Sequence, residues 1–267
     1  DGNGSLDLFI SGIDGPDFVA KLFMNDGQGN FTENTGYSFP GIQYAVPVFR
    51  DIDNDGDLDL LVSGTGIDLG NPKVWIFEND GNGLYDIKDS TSIDGGYNGH
   101  HMVVDDINGD GSPDLIFSGE KPWHGRITNV YTNDGSGNFT LFDSTSIVAV
   151  QSAALHLADF DADGDLDLFI VGKADGSIGH ISRLYLNDGN GNFTHDTTNI
   201  FDVLTGGAII TADIDNDGDL DLIYKGAPST GSGFKTHLYL NDGNGKFTNS
   251  GNTDIEGSYY KGLDVGN

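Results

Sequence analysis

The chain repeats itself every 54 residues, and that period constrains the fold more than any single motif within it. The stretches NDGQGNF, NDGNGLY, NDGSGNF, NDGNGNF and NDGNGKF begin at Asn25, Asn79, Asn133, Asn187 and Asn241, each 54 residues after the last. A second motif keeps step with the first: DIDNDGDLD at Asp51, DINGDGSPD at Asp106, DFDADGDLD at Asp159 and DIDNDGDLD at Asp213. A period of this size marks an array of supersecondary units, each too small to bury its apolar face without neighbours. The units run through residues 1–267 and leave no length for another domain, so a single domain is expected.

Each unit carries four short apolar runs. In the second these are YAVPVFRD, LDLLVSG, KVWIFEN and a run after NDGNG. All have strand length, β-branched or aromatic enrichment and flanking Gly or Asp turns, and no segment holds a helical period. An all-β chain of five units, each a four-stranded antiparallel sheet, describes a five-bladed β-propeller. An open β-solenoid is the alternative, but its rungs are much shorter than 54 residues. Pro47 fits an inner strand with a free edge, because proline has no N–H to give a ladder. The columns Phe23, Phe77, Tyr131, Tyr185, Tyr239 and Phe31, Tyr85, Phe139, Phe193, Phe247 recur in every unit and are expected in the core.

The second motif reads D-x-[DN]-x-D-G-x-x-D-L, with acids at fixed offsets. A hard cation such as calcium takes six to eight oxygen ligands, and carboxylates at positions 1, 3 and 5 of a curled loop can supply them. Gly at position 6 permits the turn, position 7 offers its carbonyl, and Asp at position 9 closes the shell. Magnesium, which demands tight octahedral geometry, suits such a loop less well. Asp, Asn and Gly also make good hairpin turns without metal, but a turn alone does not require the same offsets in every unit. Unneutralised, the cluster would repel itself or protonate. The ligand sets are Asp51, Asp53, Asp55 and Asp59 with the carbonyl of Asp57; and Asp106, Asn108, Asp110 and Asp114 with that of Ser112. They continue with Asp159, Asp161, Asp163 and Asp167 with Asp165, and Asp213, Asp215, Asp217 and Asp221 with Asp219. The NDGxG stretch has no such spaced acids and reads as a plain hairpin turn between third and fourth strands.

The two ends of the sequence look complementary. DGNGSLD supplies motif positions 3 to 9, with Asp1, Asn3, Ser5 and Asp7 at positions 3, 5, 7 and 9. The last stretch, EGSYYKGLDVGN, has the place of an inner strand running into Asp264, a position-1 Asp. Residues 256–267 are therefore expected to complete the first blade and close the ring, splitting a fifth calcium site between Asp264 and the Asp1–Asn3–Asp7 group.

These loops, DxDxDGxxDL followed by an apolar strand, resemble the FG-GAP and VCBS repeats found in the integrin α-subunit head and in many secreted bacterial proteins. GGAIITADIDNDGDLDL, from Gly206, is the stretch most similar to the pattern. The resemblance implies that the acidic loop joins the first and second strands of a blade and binds calcium. It also implies roles in adhesion, carbohydrate binding or display beside catalytic domains. Such propellers often have seven or more blades, against five units here.

Charge narrows the partners. With 42 acidic and 12 basic residues the formal net charge is −30, which repels nucleic acid and anionic membrane. Five divalent ions would bring −30 to −20, leaving the surface acidic. No stretch approaches eighteen consecutive apolar residues, so no membrane insertion is expected. Cysteine is absent, which removes disulfides and thiolate metal sites. The seven His are scattered, with no HExxH and no nucleophile elbow, so an enzyme is not expected.

What varies between units lies at the loops on the face opposite the calcium loops. EKPWHGR carries a Trp123–His124 pair, and GGYNGHH carries Tyr97, His100 and His101; Tyr44 and Tyr259–Tyr260 stand at equivalent lead-in positions. Exposed aromatics beside hydrogen-bonding groups can stack on a sugar ring or anchor a protein. The expectation is a monomeric, extracellular, calcium-stabilised module that binds carbohydrate. An extracellular protein partner or a spacer role is the alternative, and a polysaccharide-degrading domain a more distant one.

Overall fold

A computed structural model describes residues 1–66, 72–88, 93–97, 99–121, 125–142, 147–230, 232–251 and 262–264. Among these, the regular elements are all strands, grouped in five antiparallel sheets. The first sheet has three strands: β1 (Leu8–Asp14), β2 (Asp17–Asn25) and β3 (Phe31–Glu33). The second has four: β4 (Ile42–Arg50), β5 (Asp59–Gly66), β6 (Lys73–Asn79) and β7 (Tyr85–Lys88). The third repeats this order with β8 (His101–Asp105), β9 (Asp114–Lys121), β10 (Gly125–Asn133) and β11 (Phe139–Phe142). The fourth holds β12 (Val150–Ala158), β13 (Asp167–Ala174), β14 (His180–Asn187) and β15 (Phe193–His195). The fifth holds β16 (Leu204–Ala212), β17 (Asp221–Pro228), β18 (Lys235–Asn241) and β19 (Phe247–Asn249). Consecutive strands pair in every sheet, as hairpin-linked strands do. No helix is long and apolar enough to cross a membrane among the described residues.

The first strand of each complete sheet is an edge and packs against the sheet before it. Pro47 lies on such an edge, opposite Val62. The inner strands β4, β12 and β16 share a bulge, at Gln43/Val46, Gln151/Ala154 and Thr205/Ala208. Tyr44, Gly99, Ser152 and Gly206 occupy the same place in their units and all take positive φ, between 50° and 83°. Across two inner strands, His156 Nε2 lies 3.0 Å from Thr211 Oγ1.

Alternation along the second strand explains how the sheets stack. Leu60 and Val62 face the first sheet, in one cluster with Ala20 and Leu22, whereas Leu61 joins Met102, Leu115 and Phe117 of the third. The same split recurs in the later clusters, since successive side chains point to opposite faces of a strand. The aromatic columns are buried at Phe77, Tyr131, Tyr185, Tyr239, Tyr85, Phe139 and Phe193. The first sheet departs from this. Leu8, Ile10 and Phe31 are 44%, 47% and 49% exposed, where their equivalents Leu60, Val62 and Tyr85 are 0%, 0% and 6%. At the other end Ile214 is 37% exposed, against 0–2% for Ile52, Ile107 and Phe160.

Residues 256–261 and 265–267, on which the expected closing strand rests, lie outside the described residues. One described contact comes from this stretch: the buried Lys225 side chain donates to the carbonyl of Gly262.

Candidate metal centre

The acidic loops are the turns between first and second strands: 51–58 joins β4 to β5, 106–113 joins β8 to β9, 159–166 joins β12 to β13, and 213–220 joins β16 to β17. Their curl is built by carboxylates folded back on the backbone. Asp51 accepts from the amides of Asp55 and Gly56 at 3.2 and 3.0 Å, and Asp106 from those of Gly109 and Gly111 at 2.8 and 2.9 Å. Asp213 and Asp159 do the same for Gly218 and Gly164. Position 6 holds φ of 96°, 99° and 99° at Gly56, Gly164 and Gly218, a conformation open to glycine alone at little cost.

Positions 1, 3 and 9 converge. Asp51, Asp53 and Asp59 each offer an oxygen within 4.8 Å of the others, and so do Asp159, Asp161, Asp167 and Asp213, Asp215, Asp221. The position-5 acids Asp55, Asp163 and Asp217 fall outside these groups; each accepts instead from the amide two residues on, at 2.9–3.0 Å. Position 7 turns toward the NDGxG turn: a Cβ on Gly81 would stand 2.2 Å from Asp57 Oδ2, and one on Gly189 2.5 Å from Asp165 Oδ2. Ser112 and Ser5 sit likewise against Gly135 and Gly27. In the third loop Asn108 replaces an acid and bonds Asp110 Oδ2 at 3.0 Å.

The position-9 acids are the most buried charges among the described residues. Asp59, Asp114, Asp167 and Asp221 are 0–1% exposed, and each carboxylate accepts from two backbone amides. For Asp167 these are Phe160 at 3.0 Å and Asn187 at 2.9 Å. Burial nonetheless dominates, pushing Asp59 and Asp114 up to about 6 and Asp167 up to about 7. Burial and then the neighbouring carboxylates raise Asp53 and Asp161 as well. Asp53, Asp159 and Asp161 each keep a buried oxygen with no hydrogen-bond partner. An all-oxygen set of crowded carboxylates with orphaned buried oxygens suits a hard divalent cation.

The NDGxG stretches are hairpin turns between third and fourth strands, as their composition suggests, but they also brace the acidic loops. The amide of Asn79, Asn133, Asn187 and Asn241 donates to the position-9 Asp of its own unit at 2.8–2.9 Å. The side-chain Nδ2 of Asn133 also reaches the carbonyl of Ile52 at 2.7 Å, in the loop one sheet back. Asn187 reaches Ile107 and Asn241 reaches Phe160, both at 2.8 Å. Sequence reasoning missed this role; the signal was the Asn itself, present in five of five turns where Asp or Gly would serve a hairpin equally well.

In the first unit Asn3 and Ser5 reproduce the position-5 to position-7 bond at 2.7 Å, and Asp7 accepts from the amide of Asn25 at 2.8 Å. The backbone nitrogen of Asp1 lies 3.1 Å from Asp7 Oδ2. Asp264 is exposed, and no acidic group among the described residues joins it to Asp1 and Asp7. Of the candidate ligand-binding residues, Trp123, His124 and Tyr259 lie outside the described residues. Tyr97 is 36% exposed. His100 is 1% exposed, with Nδ1 2.7 Å from the Tyr97 carbonyl and its ring stacked on Phe117, which takes it out of reach of an external ligand.

Residues 1–62 and 159–224 match the FG-GAP-like repeat, so the chain carries repeats of that kind in two stretches that each span two acidic loops. Curated protein sequences give no match. Among solved structures, the V. cholerae biofilm matrix protein Bap1 aligns at 16% identity and a TM-score of 0.41, over 94% of this chain and 40% of that one.

Proposed function

We propose that this chain, which carries FG-GAP-like repeats, is a calcium-stabilised extracellular binding module shaped as a five-bladed ring. The observation that carries the calcium reading is the set of orphaned buried oxygens on Asp53, Asp159 and Asp161, each inside a group of three converging acids. Positions 1, 3 and 9 of each loop would hold the ion, with Asn108 standing in for an acid in the third unit. Calcium there would supply positive charge that lets the buried carboxylates stay ionised. Asp1, Asn3, Ser5, Asp7 and Asp264 would make a fifth site if the ring closes.

Closure is supported by the two end faces. Leu8 and Ile10 at one end and Ile214 at the other are the positions that neighbouring sheets bury everywhere else. The Lys225–Gly262 contact brings the last residues onto the fifth sheet, where an inner strand of a next blade would run. Residues 1–267 then form one domain.

The binding face is the one opposite the acidic loops, with carbohydrate as the ligand class. Exposed Tyr44 and Tyr97 support this, each offering a ring for stacking beside backbone polar groups. Binding rather than catalysis is proposed, since the groups of converging acids are those of the loops. A glycan array run with and without calcium tests the reading. Glycan binding that falls on Trp123→Ala supports it; turnover of a polysaccharide makes the chain an enzyme domain; binding to neither leaves protein adhesion or spacing.

A further inference from the structure

The four acidic loops that begin at Asp51, Asp106, Asp159 and Asp213 are joined to one another by an unbroken series of hydrogen bonds. Within a loop, the position-2 amide donates to the position-9 acid: Ile52 to Asp59, Ile107 to Asp114 and Phe160 to Asp167, at 3.0, 3.4 and 3.0 Å. The carbonyl of the same position-2 residue accepts from the Asn side chain of the next sheet, Asn133, Asn187 or Asn241. That Asn also donates from Nδ2 to its own loop, at the carbonyls of Pro113, Leu166 and Leu220, 3.1–3.2 Å away. Its backbone amide then holds the next position-9 acid, which begins the cycle again. The Asn side chains are buried here, with exposures of 3–6% for the residues as a whole.

We infer that Asn133, Asn187 and Asn241 are positioning residues that couple calcium occupancy of each loop to that of the loop before it. The inference rests on the calcium reading above. Without an ion, a loop's crowded carboxylates repel one another and the position-2 peptide has freedom to shift. An ion that gathers positions 1, 3 and 9 fixes that peptide and therefore the Asn side chain bonded to it. The next loop then meets its ion with its position-8 carbonyl and position-9 acid already in place, so less ordering is left to do. Neighbouring loops load more tightly together than apart, and the effect is reciprocal. The glycines confirm how close the joint is: a Cβ on Gly137 would stand 3.1 Å from Ile52, and one on Gly245 3.0 Å from Asp161 Cβ.

The test is a calcium titration of the full chain after chelator treatment, followed by calorimetry, with amide hydrogen exchange at Gly109 and Gly111 read in parallel. These two amides are bonded to Asp106 and report on the third loop. The wild type is expected to load with a Hill coefficient above one. Asn187→Ala is expected to lower that coefficient toward one and to speed exchange at Gly109 and Gly111 at least threefold in saturating calcium. The pair Asp159→Asn and Asp161→Asn, which empties the fourth loop, is expected to do the same to those amides. If Asn187→Ala does not fold, the wild-type isotherm and this pair decide the matter. Calcium uptake by independent sites, or unchanged third-loop exchange in the variants, overturns the coupling and leaves the calcium reading standing. No calcium uptake by the wild type removes both.

Discussion

Asn187 and Ile107 are 80 residues apart in sequence, yet Asn187 Nδ2 donates to the Ile107 carbonyl at 2.8 Å across the boundary between the third and fourth sheets. A hairpin turn of one unit thus completes the hydrogen bonding of the previous unit's acidic loop. The joint satisfies a buried carbonyl that would otherwise cost about 1–3 kcal/mol. Five consequences can be measured.

Chelation is expected to lower the melting temperature substantially, and added calcium to restore it. A ligand that binds only the folded chain at a thousandfold excess over its Kd contributes roughly 4 kcal/mol per site. Calorimetric melts in EDTA and in calcium check this, and superimposable curves would remove metal as a stabiliser.

Asp167→Ala is expected to destabilise the calcium-free chain by roughly 2–5 kcal/mol, because the buried amides of Phe160 and Asn187 lose their acceptor. Asp163→Ala, which loses only the exposed bond from Asp165, is expected to change it by less than about 1 kcal/mol. Urea denaturation of both variants in EDTA separates scaffold from metal effects.

The calcium-free chain is expected to lose stability as pH rises. The folded-state carboxyls of Asp59 and Asp114 titrate at about 6 and that of Asp167 at about 7, against 3.8 for the ordinary group. The folded chain therefore holds these protons more tightly than the unfolded one. Their contribution is fully present below about pH 4 and is lost as pH climbs through about 6 to 7. Calcium, which favours the ionised form, is expected to flatten or reverse the slope. Urea midpoints at about pH 5 and pH 8, each with and without EDTA, give the sign.

Gly207→Ala is expected to cost more than Gly206→Ala. Both have positive φ, 105° and 64°, which charges any Cβ roughly 1–2 kcal/mol. Only at Gly207 would that Cβ also stand 2.1 Å from the Lys225 carbonyl; at Gly206 there is open space. Thermal melts of the two variants compare them directly.

Ile10→Asp tests the ring. If the first sheet's free face is covered by ring closure, the variant is expected to lose roughly 2–4 kcal/mol, as a charge placed at buried Ile170 would. An Ile10→Asp chain as stable as the wild type would leave the sheets as an open row.

Much of this was legible because repetition acts as its own control. The 54-residue period gave the unit, the apolar alternation gave the strands, and the fixed offsets of Asp51, Asp53 and Asp59 gave the loop that gathers them. What was not legible depended on neighbours. Asp55 looks as good a ligand as Asp53, but the amide of Asp57 draws it aside, and a linear motif does not reveal which carboxylate the backbone will use. Asn133 looks like turn punctuation because its decisive partner, Ile52, belongs to a different unit. His100 looks displayed beside Tyr97, but the inner strand places it under Tyr97 and against Phe117. Leu8 has sequence surroundings similar to those of Leu60, yet among the described residues no sheet covers it as the first sheet covers Leu60.

The joint between sheets is also one-directional: the turns at Asn133, Asn187 and Asn241 each reach back to the loop before them, and these three boundaries use the same pair of surfaces. Duplicating one such 54-residue unit inside the gene would therefore insert a sheet that already fits on both sides, with no new interface to evolve. Substitutions at the joint, by contrast, are felt by two sheets at once, because the Asn and the carbonyl it meets belong to different units.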